Sequence, residues 1–324
     1  MTMKIPLLAV CLTMALVTIA TADDARGFLP GERVLMEAHN CYPYQGRWSN
    51  RIDRALEAGF PLGIEIDLCW HAEGDGGKGR LVVAHEGPFT GEEPLFRDYF
   101  FERVRADVEK ALASGNKRDW PLITLNINDI RGEDEKMHPA VWALTGEYES
   151  WRCTAVKGPE SDPVAAIDVK PVLVLSGGGP REVAHFYDSV PVGGKLRIFG
   201  SGREGVPADN FRRWINFSWK EVEPEGQPRA GDWTAEDAER LDALVKEAHQ
   251  QGYWIRFYSL DGNNPIAHIS LGISPGYNFG SLEAVQARWK AAIGADVDFI
   301  ATDQCREAVA FMKSLHGAGT AETE

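Results

Sequence analysis

Eight short runs rich in β-branched and aromatic residues recur along the chain, at 33–38, 62–68, 121–127, 171–175, 196–199, 214–217, 253–259 and 298–302. Between them lie segments with helical apolar period, at 50–58, 96–113, 180–188, 235–251 and 282–293. Thr234 stands where it can cap the fourth of these, with Asp237 three residues on, and Leu241, Leu244, Val245 and Ala248 line one face. Eight strand runs alternating with helical segments predict an α/β chain closed into a (β/α)8 TIM barrel. An open doubly wound sheet is the competing arrangement, and no G-x-G-x-x-G follows the first run to support it as a dinucleotide fold. No internal repeat is present. Residues 132–168 carry no clear period and read as an excursion above the barrel. Low complexity is confined to 74–79 and to 317–324, a polar tail expected to be disordered.

The first residues stand outside this pattern. Lys4 precedes an apolar stretch from Ile5 to Ile19, followed by Ala20-Thr21-Ala22. A basic start, an apolar centre and an A-x-A site are the marks of a cleaved secretory signal over residues 1–22, and the stretch is short for a membrane span. A single barrel domain is then expected over 23–316, in a secreted or periplasmic protein. The formal charge is −14, which speaks against nucleic acid and against broad anionic surfaces as partners. Four cysteines follow the signal: Cys41, Cys69, Cys153 and Cys305. None is spaced as a zinc ligand. In a closed barrel the first and last strands are neighbours, so a Cys41–Cys305 disulfide is one expectation and free buried thiols the other.

The barrel places His39, Glu65, Asp67, Asn126, Tyr258 and Asp303 at or just past strand ends, on the face where barrel enzymes keep their chemistry. Glu65 and Asp67 flank Ile66 and share one face of a strand, while Ile64, Ile66 and Leu68 take the other. Two inward carboxylates side by side call for a cation, and oxygen donors suit Ca²⁺ or Mg²⁺. His39 and His85, each ending a strand beside these carboxylates, can move protons near neutral pH. His71 competes with them but follows Trp70 closely enough only to pack there. Tyr42, Tyr44, Trp48 and Trp70 can form an aromatic rim. Gly177-Gly178-Gly179 could offer amides to a phosphate, although a plain turn explains it as well.

His39-Asn40-x-Tyr42, then Glu65-x-Asp67-Leu68-x-Trp70, then Val82-Val83-x-His85 resembles the phosphodiesterase superfamily that includes phosphoinositide-specific phospholipase C and the glycerophosphodiester phosphodiesterases. The His39-Asn40 pair looks more like the phospholipase C branch. Ile300-Ala301-Thr302-Asp303 is similar to the superfamily's final-strand I-x-T-D. The resemblance implies a (β/α)8 barrel, one divalent cation and two-histidine catalysis on a small phosphodiester or a phospholipid head group. It implies that His39 stabilises the phosphate and protonates the leaving oxygen or the cyclic phosphate, that His85 contacts the phosphoryl oxygens, and that Asn40, Glu65 and Asp67 hold the metal. The third-strand ligand departs from the pattern: the superfamily usually has a carboxylate where this chain has Asn126, and Asp129 offers a substitute from the loop. Arg256 and Tyr258 resemble the pair that grips the head group, and Lys220 could supply a further phosphate contact.

These residues predict a secreted, metal-dependent phosphoric diester hydrolase. A barrel that has lost activity and binds a ligand or partner is the alternative, with Asn126 as its support. A glycoside hydrolase fits less well, because Glu65 and Asp67 share one strand rather than flanking a sugar.

Overall fold

In the computed structural model the protein is described for residues 28–73, 78–132, 135–160 and 163–321. The expected signal at 1–22 lies outside those residues, as do 74–77 of the glycine-rich stretch. Eight parallel strands close into a barrel: β1 Leu35–Ala38, β2 Leu62–Glu65, β3 Ile123–Ile127, β4 Val172–Ser176, β5 Phe199–Ser201, β6 Arg212–Ser218, β7 Trp254–Tyr258 and β8 Phe299–Thr302. Their spatial order follows the chain, and β1 pairs with β8 in register from Leu35–Phe299 to Ala38–Thr302. Each of the eight expected runs reaches a barrel strand, but 196–199 is split: Leu196 joins a small antiparallel sheet and only Phe199 enters β5.

Alternation explains the layers. Met36, Ala38, Ile64, Leu125 and Val174 lie in a large apolar cluster with the helices. The residues between them face the interior. At the N-terminal end of the barrel, Leu35, Leu175, Phe199, Trp214, Trp254 and Phe299 form a separate apolar plug, capped by Phe28, whose ring lies 4.8 Å from that of Trp254. Further up, the interior turns polar, with Glu37, Asn126 and Arg256 all buried. Core packing thus fills the bottom of the barrel and leaves its C-terminal end for chemistry.

The helices are α1 Arg51–Ala58, α2 Glu102–Ser114, α3 Met137–Glu147, α4 Pro180–Glu182, α5 Ala235–Gln250, α6 Pro265–Ser270, α7 Leu282–Gly294 and α8 Cys305–Ala321. Thr234 caps α5 in a reciprocal box with Asp237, as its spacing predicts. Two expectations are corrected. Residues 132–168 are not an excursion above the barrel: they supply α3, the crossover between β3 and β4. They also supply short strands at Thr154–Val156 and Ile167–Asp168, which with Lys195–Leu196 form a small antiparallel sheet beside the start of β4. The expected tail is helical through Ala321; residues 322–324 lie outside the described ones. Among the described residues no helix is long and apolar enough to cross a membrane.

Candidate active site

Two local structures build the top of the barrel. The first is a small sheet in which Leu68–Glu73 pairs antiparallel with Lys78–Val83 and parallel with Ile130–Arg131. The chain leaves β2 through Glu65 and Asp67 into this sheet and returns to His85. The Ala84 amide donates to the Asp67 carbonyl, and the Leu68 amide to the Asp129 carbonyl. Asp67, His85, Asp129 and Arg131 are thereby gathered at one edge. The second is the turn after β1. Asn40 takes a left-handed backbone, φ 55°, which asparagine tolerates better than most residues. Its amide donates to Glu65 Oε2 at 2.7 Å, tying the β1 turn to the β2 carboxylate.

These elements enclose a cleft of about 240 Å³, lined by His39, Asn40, Tyr42, Glu65, His85, Asn128, Asp129, Arg131, Asn216, Arg256, Tyr258 and Tyr277. His39 is nearly buried. Its Nδ1 lies 3.2 Å from Asp303 Oδ1 and 2.8 Å from Asn40 Nδ2, and its Nε2 lies 3.6 Å from Glu65 Oε2. Arg51 Nη1 donates to the same Asp303 Oδ1 at 3.0 Å, and its guanidinium lies over the Trp48 ring. Burial opposes charge on His39, but the Glu65 and Asp303 carboxylates outweigh it and raise its pKa to about 9. Asp303 shows the converse. Burial would raise it, yet Arg51 and His39 hold it down at about 2.

His85 is set the other way. It sits 4.0 Å from Asp67 and 3.7 Å from Glu86, against the rings of Tyr42 and Tyr44. Burial and the nearby Arg131 guanidinium lower its pKa below the ordinary value. One cleft therefore holds a histidine that keeps its proton at neutral pH and one that stays free of it.

Oxygens of Glu65, Asp67 and Asp129 lie within 4.8 Å of one another. Arg131 reaches two of these carboxylates, with Nε 3.1 Å from Asp67 and Nη2 2.8 Å from Asp129. Glu65 in turn faces Arg256 Nη2 at 3.8 Å and His39 Nε2 at 3.6 Å, so the surplus negative charge lies on Asp67 and Asp129 around the one Arg131. Burial and the neighbouring Glu65 and Asp129 charges, against Arg131, still push Asp67 up to about 9. An all-oxygen donor set with uncompensated negative charge fits a hard divalent cation.

The expected residues thus divide. His39, Asn40, Glu65, Asp67, His85 and Tyr258 come together. Asn126 does not join the carboxylates: its Oδ1 accepts from the Asn128 amide and its Nδ2 lies 3.4 Å from Glu37, so the third carboxylate is Asp129. Asn40 Oδ1 is already engaged by the Tyr42 hydroxyl at 2.6 Å and its Nδ2 donates to Asp303 Oδ1 at 2.9 Å, which places Asn40 as an orienting residue for Asp303. Arg256 reaches the cleft floor but is pinned beneath it, with Nε 2.6 Å from Glu37 and Nη1 2.9 Å from Asn216; it fixes the floor rather than closing on a head group. Lys220 is exposed and away from the cleft, because the short turn Trp219–Glu221 sends Trp219 into the core and the lysine to solvent.

The remaining expectations resolve in the same way. Gly179 donates to the Glu182 carboxylate, and a Cβ on Gly178 would lie 2.2 Å from the Ser201 carbonyl, so the three glycines serve close packing. His71 stacks on Phe89 and pairs with Glu93, away from the cleft. Tyr42, Tyr44 and Trp48 form a stacked rim, whereas Trp70 packs within the small sheet. The Cys41–Cys305 disulfide is not formed. All four described cysteines are free and buried, and Cys41 and Cys305 face one small cavity of about 20 Å³ behind His39. Arg51, Arg131 and Tyr277 were not singled out by the sequence. Alternation could have flagged Arg131, two residues past Asp129; nothing local marks Tyr277.

No family model matches this chain, and no curated protein matches it. Among solved structures it is similar to a glycerophosphoryl diester phosphodiesterase from Parabacteroides distasonis, with 14% identity, TM-score 0.43, and 90% of this chain and 92% of that one covered. It is also similar to a phosphatidylinositol-specific phospholipase C from Listeria monocytogenes, with 12% identity, TM-score 0.46, and 88% and 94% covered. A third is a calcium-dependent phosphoinositol-specific phospholipase C from a Pseudomonas species, with 11% identity, TM-score 0.46, and 88% and 93% covered. These are likenesses of overall fold; the chemistry of the cleft rests on the chain's own residues.

Proposed function

We propose that the protein is a phosphoric diester hydrolase that works with one divalent cation, Ca²⁺ or Mg²⁺, and two histidines. The observation that carries this reading is the opposed setting of His39 and His85 beside three carboxylates. Paired groups whose surroundings drive their pKa values apart are how one cleft supplies an acid and a base at one pH. Glu65, Asp67 and Asp129 would hold the cation. When bound, it would polarise the phosphoryl group and lower the pKa of a neighbouring hydroxyl or water.

The chain's own residues divide the proton work. His85, held neutral, accepts the proton of the attacking hydroxyl or water. His39, held protonated, donates from Nε2 to the departing oxygen, and Asp303 with Arg51 keeps its ring in place through Nδ1. Where the substrate carries an adjacent hydroxyl, that group attacks and a cyclic phosphate forms; otherwise water attacks. Arg131 and Tyr258 supply a positive charge and a hydroxyl at the cleft wall for the phosphoryl oxygens.

The inactive-barrel reading rested on Asn126. Asp129 returns the missing carboxylate from the adjacent loop, which favours the catalytic reading. We further propose that residues 1–22 are a secretory signal and that the enzyme acts outside the cytoplasm. The test is product release from phosphatidylinositol and from glycerophosphocholine, each with Ca²⁺, with Mg²⁺ and with chelator. Cation-dependent release that is lost in His39→Ala and in Glu65→Ala supports the reading. A folded protein that turns over neither substrate in any condition overturns it.

A further inference from the structure

The turn that carries Asp303 is gripped by a buried carboxylate that the proposed chemistry does not use. Asp261 follows β7 and is sealed from solvent. Just before it, Ser259 takes a left-handed backbone, φ 71°, which breaks the alternation of the strand. Asp261 then reaches across to the end of β8. Its Oδ1 accepts from the Thr302 hydroxyl at 2.7 Å and from the Asp303 amide at 2.8 Å. The Gly262 amide donates to Gln304 Oε1, and the Gln304 amide donates to Thr302 Oγ1 at 3.1 Å. Thr302, Asp303 and Gln304 are thus held together by a pair of residues about 40 positions earlier in the chain.

What this grip holds is the partner of His39. Asp303 Oδ1 faces His39 Nδ1 at 3.2 Å, Asn40 Nδ2 at 2.9 Å and Arg51 Nη1 at 3.0 Å. Its Oδ2 is buried and has no hydrogen-bond partner among the described residues. All three contacts therefore meet a single oxygen, and a shift of the Asp303 backbone loosens them together. Asp261 also steadies the facing wall of the cleft. Its amide donates to the Tyr277 carbonyl at 3.1 Å, and its carbonyl accepts from the Phe279 amide at 2.7 Å. The Tyr277 ring lies 6.0 Å from that of His39. Burial first, and then the Asp303 charge, push the pKa of Asp261 up to about 7. Near neutrality it passes between its charged and neutral forms, and a carboxyl oxygen can accept in both.

We propose that Asp261 is a positioning residue for proton donation by His39, fixing the Asp303 amide so that Oδ1 meets His39 Nδ1. The proposal rests on the reading of the cleft as a phosphodiesterase site, and it extends the His39–Asp303 pair by one residue. Asp261 does not line the cleft and acts only through Asp303. Its contribution is an acceptor oxygen rather than a charge. A displacement of about 1 Å in a catalytic group is enough to lower turnover about 10²-fold, so the anchor of the Asp303 main chain bears directly on rate. The same contacts also support the start of α8 at Cys305. A role confined to that support would lower stability without favouring one leaving group over another.

The test compares Asp261→Ala, which removes the acceptor, with Asp261→Asn, which offers an amide oxygen in its place. Thermal melting checks that each variant is folded; should Asp261→Ala not fold, Asp261→Ser, too short to reach the Asp303 amide, replaces it. Turnover is read on an alkyl phosphodiester and on a nitrophenyl one. The His39 Nδ1 proton is followed by its low-field proton resonance, assigned by its absence from His39→Ala. In Asp261→Ala, kcat on the alkyl diester is expected to fall at least about tenfold with KM unchanged, and to change little on the nitrophenyl one. The resonance is expected to weaken or vanish, and Asp261→Asn to recover both. Equal loss on the two diesters, an unchanged kcat, an unchanged resonance, or a folded Asp261→Asn that recovers neither overturns the proposal. The resonance is read without turnover, so a response in a protein that hydrolyses neither diester would keep the link from Asp261 to His39 and reject the catalytic reading.

Discussion

Arg256 Nε lies 2.6 Å from Glu37 Oε1 inside the barrel, and both side chains are sealed from solvent. The residues are 219 positions apart in the chain and join β7 to β1. Burial raises the pKa of Glu37 and would discharge it, and the Arg256 charge opposes this. Breaking such a pair strands a charge, at a cost of about 3–5 kcal/mol. Arg256→Ala is therefore expected to lower stability by about that much. Glu37→Leu/Arg256→Met is expected to lose less than the single change, because no charge is left without a partner. Chemical denaturation of the three variants measures both.

The two histidines set the pH dependence of turnover. His85 must be neutral, and its pKa is lowered from 6.5, so activity falls only as pH drops through that lowered value. His39 must be protonated; Glu65 and Asp303 raise its pKa to about 9 in the cation-free site, and a cation held by Glu65 would offset part of that, so activity is expected to fall as pH rises at or below that value. A bell with a wide plateau across neutrality is expected for kcat/KM. In Asp303→Asn the basic limb is expected to move to lower pH, since one of the carboxylates that holds the proton is gone.

Cation binding separates Asp129 from Asn126. Asp129→Asn removes a charged ligand, and the affinity for Ca²⁺ measured by titration calorimetry is expected to fall at least about tenfold. Asn126→Ala leaves the carboxylate trio intact and is expected to keep that affinity, while lowering stability through the lost contacts to Glu37 and to the Asn128 amide. Arg131→Gln frees Asp67 and Asp129 of their guanidinium and is expected to tighten Ca²⁺ binding. If Asn126→Ala weakens cation binding and Asp129→Asn does not, the ligand assignment is wrong.

His138 gives a stability signal away from the cleft. It is buried beside the His185 ring. Burial first, and then the His185 and Arg181 charges, lower its pKa to about 4. The unfolded chain takes up a proton near 6.5, so between about 6.5 and 4 the unfolded state binds more protons and stability falls as the pH falls. His138→Gln is expected to flatten the thermal midpoint over that window relative to the unaltered protein, and to leave the curve above pH 7 parallel.

Most of the fold was legible because period-two alternation and helical period are local signals. Glu65 and Asp67 were readable for the same reason: Ile64 and Ile66 claim the helix-facing side, so the carboxylates between them must face in. The same alternation in Leu35–Ala38 sends Glu37 inward with His39, but its meaning depends on a partner 219 residues away, which no local pattern shows. Asn126 has the place of a ligand on β3 but its amide is taken by neighbours; the loop brings a carboxylate at Asp129 through a backbone path that periodicity does not encode. Lys220 does not line the cleft, because Trp219 beside it takes the core position and turns the lysine out.

The central claim is that His39 donates the proton to the departing oxygen, and the most direct measurement compares leaving groups. Turnover of His39→Ala and of the unaltered enzyme would be read on an alkyl phosphodiester, whose leaving oxygen needs a proton, and on a nitrophenyl one, whose leaving oxygen does not. With His39 as the proton donor, a loss of about 10²–10⁴-fold is expected on the alkyl diester and less than about tenfold on the nitrophenyl one. An equal loss on both would contradict it and would make His39 a binding residue for the phosphoryl group instead.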